Sequence, residues 1–578
     1  MLRCLTAALV LCVPLALVGC EEPVPDADLV YISNAEHAGL DPQAAIWVHD
    51  IRVLEHLYEP LLDYDFDKGE LVPAVAERWE VSDDGLTYTF HLRDDARWST
   101  GEPVVARDFI FAWRRAMLPE MASNYSTLMY RIRGAEAFLR WRQDQLRQYL
   151  ATRDRAGGGD AAEQLWETAE ARFNDTVGLS APDDRTLVVE LERPAPYFPL
   201  LTTFVTFMPV HRASIAEAQQ LDPASGAMRM PSGHWTDANR LVTNGPYKLS
   251  DHQPRRYLLM TASETYWNGA ALANGSILER IIPDAQNAAL TYRRGRADIW
   301  PNMPSGDLAA GLVADASRDD VHTATIAGTY FYNFNCGPTL PGGGDNPLAD
   351  PRVRRALSMA IDREQIVQRI TRLNQPVART YIPPDVIPGY DPPAEHGVGF
   401  DPEAARQLLA DAGHPDGQGI DGLSILYNSE GEHGPVAEAV RAMWREHLNV
   451  HVSLEEVSLP HFNDRKNNHD YTICRASWIG SYPEPTYWLD RKRIQDAGNE
   501  TGWSNARYDA LLDEAADEPD NARRLALLRE AEALLLDEQP MAMIFQYVGI
   551  NLWDPARVTG PTPNAWMRWR FDNVRVER

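Results

Sequence analysis

The pattern of apolar and polar positions along the chain predicts alternating strands and helices. Residues 79–81 alternate apolar and polar side chains into a turn at residues 82–85, and residues 88–92 alternate out of it, which predicts a β-hairpin. By the same periodicity, strands are predicted at residues 29–33, 424–427, 450–457 and 541–548, and helices at residues 50–58, 107–117, 435–448, 506–516 and 522–536. The fold class predicted from this pattern is α/β.

The second half of the chain contains a strand–helix–strand unit at residues 424–457. Such a unit implies parallel strands joined by a right-handed crossover. Before it, a helix has clear ends: Asp401 is placed to cap its N-terminus, Pro402 occupies its first turn and Gly413 follows its last turn. No fixed-period repeat is present, which argues against a solenoid.

Length, charge and composition limit the possible functions. A chain of 578 residues is too long for a single core and predicts two or three domains. The 83 acidic residues exceed the 55 basic ones and give a formal charge of −28, which argues against nucleic acid or an anionic membrane surface as a partner. Residues from about 140 to 173 are rich in Arg, Gln, Glu and Ala and are broken by three glycines at residues 157–159, which predicts a solvated helical hairpin without chemistry of its own.

The N-terminus has the pattern of a targeting segment. Arg3 precedes an apolar run at residues 5–18 that is too short to cross a membrane as a helix. The run ends in Leu-Val-Gly-Cys, which resembles the bacterial lipoprotein processing box, and Cys20 is then the acylated first residue of a protein that is anchored to a membrane without spanning it. The alternative is a plain secretory signal in which Cys20 has no role. Residues 21–28 are predicted to be a flexible tether.

Two cysteines remain after removal of the signal and lipidation of Cys20. Cys336 and Cys474 each lie at the end of a predicted strand, and in an oxidising compartment they could form a disulfide. The alternative is two separate buried thiols that act as small apolar side chains.

The segment from Asp470 to Asp490 is the candidate for ligand binding. It predicts a buried strand that runs into a loop broken by two prolines, with Arg475 and Trp478 at the end of the strand. A guanidinium group binds carboxylates with a planar fork, so this placement suits ligand capture. The alternative is a buried structural arginine beside a core tryptophan.

Catalytic, cofactor and metal motifs find no support in the sequence. It contains no Gly-x-Ser-x-Gly elbow, no phosphate loop and no His-Glu-x-x-His pair. His447 and His451 have a spacing that can bind metal on one helix, but a strand is predicted to begin between them, so the two side chains diverge. The protein is therefore expected to be neither an enzyme nor a cofactor or metal protein.

Six segments carry a resemblance to a known family. They are TNGPYKL at residues 243–249, ETYWNG at 264–269, TYFYNFN at 329–335, LADPRVRRALSMAIDREQIV at 348–367, FDPEAARQLLADAG at 400–413 and GWSNARYDALLDEA at 502–515. With the Asp470–Asp490 segment they resemble, in the family's order, the extracytoplasmic substrate-binding proteins of peptide-type ABC importers. The resemblance extends over nearly the whole mature chain.

The resemblance implies a two-lobed periplasmic-binding-protein fold of class II type that closes about a hinge, with a small extra domain on the first lobe. The expected first lobe comprises residues 29–60, 174–270 and 491–578, the small domain residues 61–173, and the second lobe residues 271–490. The resemblance also implies a peptide or peptide-like ligand and an ABC permease and ATPase as partners of a monomer. The rival interpretations are a non-peptide or N-blocked ligand, and a peptide-binding chaperone or sensor.

The resemblance also implies ligand-binding residues. Arg475, Ala476, Ser477 and Trp478 match the strand that lines the peptide in the family, where an extended ligand is held by backbone hydrogen bonds. Peptide-binding members carry an aspartate three residues after the tryptophan, where it pairs with the ligand's α-ammonium. Here that position is Ser481, so recognition of a free N-terminus is put in doubt.

On the first lobe, four residues are expected to face the ligand. Asn244 matches the asparagine of the family's Thr-Asn-Gly turn, and Glu36 matches an acidic residue on the opposing segment. Trp47 and Tyr125 are weaker candidates, chosen as aromatic residues near segments that face the cleft. For both, a core or surface role is the alternative.

Overall fold

The computed structural model describes residues 24–152, 159–230, 235–493, 495–496 and 498–578. The expected signal segment, Cys20 and the first part of the expected tether lie outside these residues. Within the described ranges, no helix combines the length and the apolar character needed to cross a membrane.

The strands of the described residues range from two residues, as in β13, to 14 residues, as in β14. They are β1 Leu29–Ser33, β2 Leu62–Asp65, β3 Glu70–Pro73, β4 Ala76–Val81, β5 Thr87–Leu92, β6 Leu179–Asp183, β7 Thr186–Glu190, β8 Gln220–Asp222, β9 Ala227–Arg229, β10 Tyr247–Gln253, β11 Tyr257–Ala262, β12 Ser276–Ile281, β13 Ile299–Trp300, β14 Val321–Phe334, β15 Ser424–Asn428, β16 Ser453–Val457, β17 Ile473–Ile479, β18 Met541–Trp553, β19 Val558–Thr559 and β20 Arg575–Val576.

The α-helices of the described residues follow in the same order. They are α1 Val48–Leu57, α2 Ala106–Met117, α3 Ala135–Thr152, α4 Gly159–Thr176, α5 Phe198–Leu201, α6 Arg212–Ala218, α7 Ala285–Arg293, α8 Asp307–Ala314, α9 Pro351–Met359, α10 Arg363–Gln365, α11 Pro402–Asp411, α12 His433–Leu448, α13 Leu459–Asn467, α14 Thr486–Leu489, α15 Ala506–Ala516 and α16 Asn521–Glu538.

A ten-stranded sheet organises the molecule, in the order β10-β11-β12-β1-β13-β18-β14-β17-β15-β16. Its centre consists of β14, with 14 residues, and β18, with 13 residues, which pair antiparallel. One end of this pair adjoins the β13 side of the sheet, and the other end adjoins β17. The register shifts between Thr325 and Thr329, so the two long strands join two parts of the sheet through an irregular segment. This is the two-lobed α/β fold expected from the sequence.

The lobe boundaries differ from the expected ones. Strand β12 pairs in parallel with β1, and α7 and α8 share a core with Ile32 and Trp300, so residues 276–314 lie with the first lobe. Helices α15 and α16 pack instead against Tyr381 and Trp488 of the second lobe. The hydrophobic pattern marks each strand but does not tell which strands, far apart in the chain, will pair. The expected boundaries after residues 270 and 490 are therefore displaced.

The small extra domain also extends past its expected end at residue 173. Its four-stranded sheet has the order β4-β5-β7-β6, so residues 179–190 belong to it. A single apolar cluster joins this sheet to the first lobe and includes Phe90, Trp113 and Leu57. The predicted helical hairpin corresponds to α3 and α4, with 18 residues each.

Elements with strong local signals agree with their predictions. Strand β1 and helix α15 have the predicted bounds, and β15 and β16 are parallel strands joined by α12. The Asp401 side chain caps α11 by accepting a hydrogen bond from the Ala404 N–H. Strand β18 is longer than predicted, because it continues to Trp553.

The two cysteines of the described chain are free thiols, so the possible disulfide is absent from this structure. Cys474 lies opposite Asn333 in the β14–β17 ladder, and Cys336 is three residues farther along. At about 3.3 Å per residue this separates the two positions by roughly 10 Å, beyond the ~7 Å between Cα atoms that a disulfide tolerates. Burial raises the pKa of the Cys336 thiol to about 11 and that of Cys474 to about 12.

Candidate functional site

Strand β17 carries four of the expected ligand residues and has one partly open edge. On one side it pairs with β14 along its whole length, from Ile473 opposite Phe334 to Ile479 opposite Gly328. On the other side β15 pairs only with Ile473 and Cys474. Beyond Cys474, no strand of the described chain pairs with this edge.

The register of the ladder shows which backbone groups face the open edge. The Gly480 N–H donates to the Ala327 carbonyl at 2.7 Å, which makes this a hydrogen-bonded pair. Because hydrogen-bonded and non-hydrogen-bonded pairs alternate in an antiparallel ladder, Ala476 and Trp478 also bond to β14. The N–H and C=O groups of Ser477 and Ile479 therefore point toward the open edge. They can bond to one further extended chain, which is the geometry of strand addition.

Arg475 lies on one face of this strand and has no carboxylate within 4 Å among the described residues. Its Nη2 donates to the Nε2 atom of His433 at 2.6 Å, and its guanidinium lies 5.8 Å from the ring centre of Tyr330. Its Nε is buried and has no hydrogen-bond partner in the described structure. The cation is thus held in place without being neutralised.

His433 is the first residue of α12, and its protonation state follows from its contacts. Since a guanidinium can only donate, Nε2 of His433 is the acceptor, and the ring proton sits on Nδ1, 3.3 Å from the Tyr330 hydroxyl. Burial, together with the nearby charge of Arg475, lowers the pKa of His433 to about 3. The imidazole is therefore neutral at physiological pH and leaves the Arg475 charge available for an anion.

The opposite face of β17 borders a cleft of about 1010 Å³ between the two lobes. On the side of the first lobe and its small domain, the lining residues are Ile46, Asn124, Tyr125, Thr127, Leu128, Tyr130, Arg131, Glu136, Glu192, Arg193 and Leu201. On the second-lobe side they are Trp478, Tyr482, Thr486, Tyr487, Asp490, Arg491, Asp496 and Gly498. Arg131 reaches across the cleft to Asp490 at 3.5 Å, so this ion pair joins the two walls.

Aromatic rings form much of the cleft wall. Trp478 and Tyr487 lie 5.3 Å apart between ring centres, and Tyr482 is 4.6 Å from Tyr487. Tyr125 packs edge to face on Phe204 at 4.8 Å and lines the cleft from the first lobe, where the sequence placed it. The indole N–H of Trp478 is buried without a hydrogen-bond partner in the described structure. Such a wall offers apolar surface with free donors, as ligand sites commonly do.

Ser481 belongs to this aromatic group through its hydroxyl, which lies 3.1 Å from the Tyr487 hydroxyl. The nearby Glu484 does not replace the missing aspartate. It is buried and accepts two hydrogen bonds from Arg524, at 2.7 and 2.9 Å. Among the described residues, no carboxylate is therefore hydrogen-bonded to Ser481.

The structure places the other expected first-lobe residues away from the cleft lining. The Asn244 side chain is buried and bonds to both the N–H and the carbonyl of Glu59. Glu36 accepts the Arg255 N–H at 2.5 Å, which supports a turn whose central residue has a φ of 64°. Trp47 is 54% exposed and stacks on His49. Their ligand roles stay predictions, while the contacts seen here are structural.

Several cleft residues were not singled out in the sequence. Arg491 lies in the run Asp-Arg-Lys-Arg, which has the pattern of a solvated charged turn. Tyr482 and Tyr487 follow Trp478 by only a few residues, and this short separation could have identified them as cleft residues. His433 lies 42 residues before Arg475, so no local pattern connects the two. Within the described ranges, no group of three or more His, Cys, Asp or Glu side chains could hold a metal ion.

Comparison with known proteins agrees with this architecture. The family model described as "Bacterial extracellular solute-binding proteins, family 5 Middle" matches residues 70–499. The chain is 31% identical over 538 residues to the periplasmic murein peptide-binding protein MppA of Escherichia coli, covering 91% of this chain and 89% of that protein. It is 29% identical over 501 residues to the oligopeptide-binding protein OppA of Bacillus subtilis, covering 86% of this chain and 83% of that one.

Solved structures give the same result. The unliganded open form of the MppA murein tripeptide-binding protein superposes with a TM-score of 0.75 at 28% identity, covering 95% of this chain and 97% of the other. Haemophilus influenzae OppA in complex with the peptide RPPGFSPFR superposes with a TM-score of 0.68 at 25% identity, covering 96% of this chain and 100% of the other. The chain therefore belongs to family 5 of the bacterial extracellular solute-binding proteins.

Proposed function

We propose that this protein captures a peptide or peptide-like solute between its lobes and delivers it to the permease of an ABC importer. The observation that carries the proposal is the open edge of β17, where the backbone groups of Ser477 and Ile479 have no partner strand. An extended peptide can bond to them whatever its side chains are, which suits a carrier that must accept many sequences.

The charge at one end of this edge supports the same function. Arg475 presents a guanidinium whose neighbour is a neutral imidazole, so a peptide's terminal carboxylate finds a cation that no acidic side chain occupies. Charge-assisted bonds of this kind are roughly twice as strong as neutral ones. Relatives whose names state murein peptide, oligopeptide and dipeptide binding point the same way.

A ligand without a free α-amino group is a second candidate, and Ser481 favours it. Its hydroxyl lies within hydrogen-bond distance of the Tyr487 hydroxyl, and the carboxylate of Glu484 is occupied by Arg524. A buried ammonium that contacts Ser481 would therefore meet a neutral hydroxyl where a carboxylate would neutralise it. We expect an N-acetylated peptide to bind within about tenfold of its free form.

The decisive experiment combines native mass spectrometry with calorimetry. The protein is purified without its signal segment, denatured and refolded to remove bound solute, and then mixed with a pool of free and N-acetylated tri- to pentapeptides. Retention of peptides in the mass spectrum supports the proposal, and calorimetry then gives their affinities. If no peptide of the pool is retained by refolded protein with a native circular dichroism spectrum, the proposal is wrong.

The proposal includes an extracytoplasmic location with a lipid anchor on Cys20. Its support is the Leu-Val-Gly-Cys run behind a short apolar segment. We expect Cys20→Ser to release the protein from the membrane fraction or to leave the signal uncleaved. A variant that fractionates and is processed like the parent protein would contradict the anchor and leave the peptide-binding proposal untouched.

A further inference from the structure

The second-lobe wall of the cleft contains a cation that the function proposed above does not use. Arg491 stacks on Trp478, with its guanidinium carbon 3.8 Å from the ring centre, and both residues line the cleft. An arginine over an indole face is held by cation–π attraction while its N–H groups remain free to bind.

The other charged groups of the cleft lining already have partners. Arg131 pairs with Asp490, which also binds Arg493, and Arg193 pairs with Asp517 at 3.5 Å.

The remaining acidic groups are likewise engaged. Glu136 pairs with Arg140 at 2.6 Å, Glu192 accepts the Gly134 N–H at 3.1 Å, and Asp496 accepts the Gly498 N–H at 2.6 Å. Among the described residues, Arg491 has no carboxylate within 4 Å. It is the one arginine of the described cleft lining that lacks such a partner.

The local backbone leaves room for this arrangement. A Cβ atom built on Gly498 would lie 2.6 Å from the guanidinium carbon of Arg491 and 2.7 Å from Nη2. Any side chain at this position would therefore push the guanidinium away from where it now lies. The glycine leaves room for the guanidinium, which stacks on the indole of Trp478.

Arg491 also acts on the corner occupied by Ser481. Tyr487 contacts both Trp478 and Ser481, so the cation and the neutral serine belong to one cluster. An ammonium group brought here would meet the positive charge of Arg491, while the lining carboxylates Asp490 and Asp496 are bonded to Arg493 and to the Gly498 N–H. A carboxylate would meet a fork of N–H donors.

We propose that Arg491 makes the site selective for short peptides with an acidic side chain near their N-terminal end. The inference rests on the proposed function, because it assumes that an extended peptide lies along β17. Arg475 and Trp478 are three residues apart, roughly 10 Å along the strand, and lie on opposite faces of it. A tripeptide whose terminal carboxylate lies at Arg475 thus places its first residue near Trp478, and alternating side chains of an extended peptide reach both faces.

The test compares three matched probes by calorimetry: N-acetyl-Glu-Ala-Ala, N-acetyl-Gln-Ala-Ala and N-acetyl-Lys-Ala-Ala. The wild-type protein is expected to bind the Glu probe about tenfold or more tighter than the Gln probe, and the Lys probe weakest. The ratio of the Glu-probe and Gln-probe affinities is measured on the wild-type protein alone. It therefore does not depend on how a substitution affects folding.

Two variants assign the ratio to Arg491. Arg491→Gln should bind the Glu and Gln probes equally, mainly by weakening the Glu probe. Gly498→Ala keeps the charge but displaces it, and should reduce the ratio severalfold. Arg507→Gln, an exposed arginine on α15 that pairs with Glu514 and Glu530, serves as the control and should keep the full ratio.

The outcomes separate this inference from the proposed function. Equal binding of the Glu and Gln probes overturns the role of Arg491 while peptide binding stands. A ratio that persists in Arg491→Gln also overturns it, as does failure of all three probes when other peptides of the pool bind. If neither the probes nor the pool bind, the proposed function is wrong and the inference falls with it.

Discussion

Two arginines of the second lobe show how differently one side chain can be used. Arg524, beneath the loop that follows β17, is buried and binds both carboxylate oxygens of Glu484. Arg475, on β17 itself, contacts the neutral ring of His433 and retains a buried Nε without a partner in the described structure. The first region is satisfied, because its buried cation is paired with a carboxylate, and it supports the loop. The second is incomplete, because a buried donor of a charged group has no partner among the described residues.

The largest effect on the free energy of unfolding is expected when the ion pair of Arg524 and Glu484 is removed. Glu484→Gln removes the charge that balances Arg524 and leaves a buried cation, which costs on the order of 3–5 kcal/mol. Urea unfolding followed by circular dichroism measures this change in the free energy of unfolding. The exposed pair of Glu395 and Arg529 supplies a control, because Glu395→Gln should cost less than about 1 kcal/mol. Equal losses in the two variants would mean that the buried pair has no special structural role.

The incomplete region should behave in the opposite way. Arg475→Gln is expected to change the free energy of unfolding by less than about 1 kcal/mol but to weaken peptide binding about ten- to a hundredfold, because charge-assisted bonds to the ligand are lost. A C-terminally amidated peptide should lose similar affinity for the wild-type protein and little more for the variant. Calorimetry with both peptides measures this non-additivity. Fully additive losses would show that Arg475 does not bind the ligand's carboxylate.

A further effect, confined to acidic pH, concerns the neutral partner of Arg475. Because the pKa of His433 is depressed to about 3, the folded state binds fewer protons than the unfolded state, where the pKa is near 6.5. The resulting contribution to stability is present above pH 6.5 and is lost as the pH falls toward 3. His433→Gln keeps an acceptor for Arg475 without titrating, so its stability should fall less than that of the wild type over this interval. Unfolding curves of the two proteins that stay parallel from pH 6.5 to 3 would contradict a neutral His433.

The contrast between the two arginines also shows what a sequence can reveal. Strand β1, the cap at Asp401 and the aromatic loop after β17 were predictable, since each depends on neighbours within a few residues. The partners of the arginines were not, because His433 lies 42 residues from Arg475 and Glu484 lies 40 residues from Arg524. The pairing of β12 with β1, which are separated by about 248 residues, could not be predicted for the same reason. The resemblance to the family identified β17 as the candidate ligand strand. Only the fold showed that Arg524 is paired with a carboxylate and that Arg475 is not.

The position of β18 has a consequence for how the protein comes to be folded. This strand lies between β13 and β14 at the middle of the large sheet, yet it follows both of them in the chain by about 200 residues or more. A nascent chain that has released residues 24–540 therefore holds two incomplete half-sheets, each with a hydrophobic edge that nothing covers. Completion of the large sheet depends on this one segment, and until it is in place the two exposed edges favour aggregation of the growing chain.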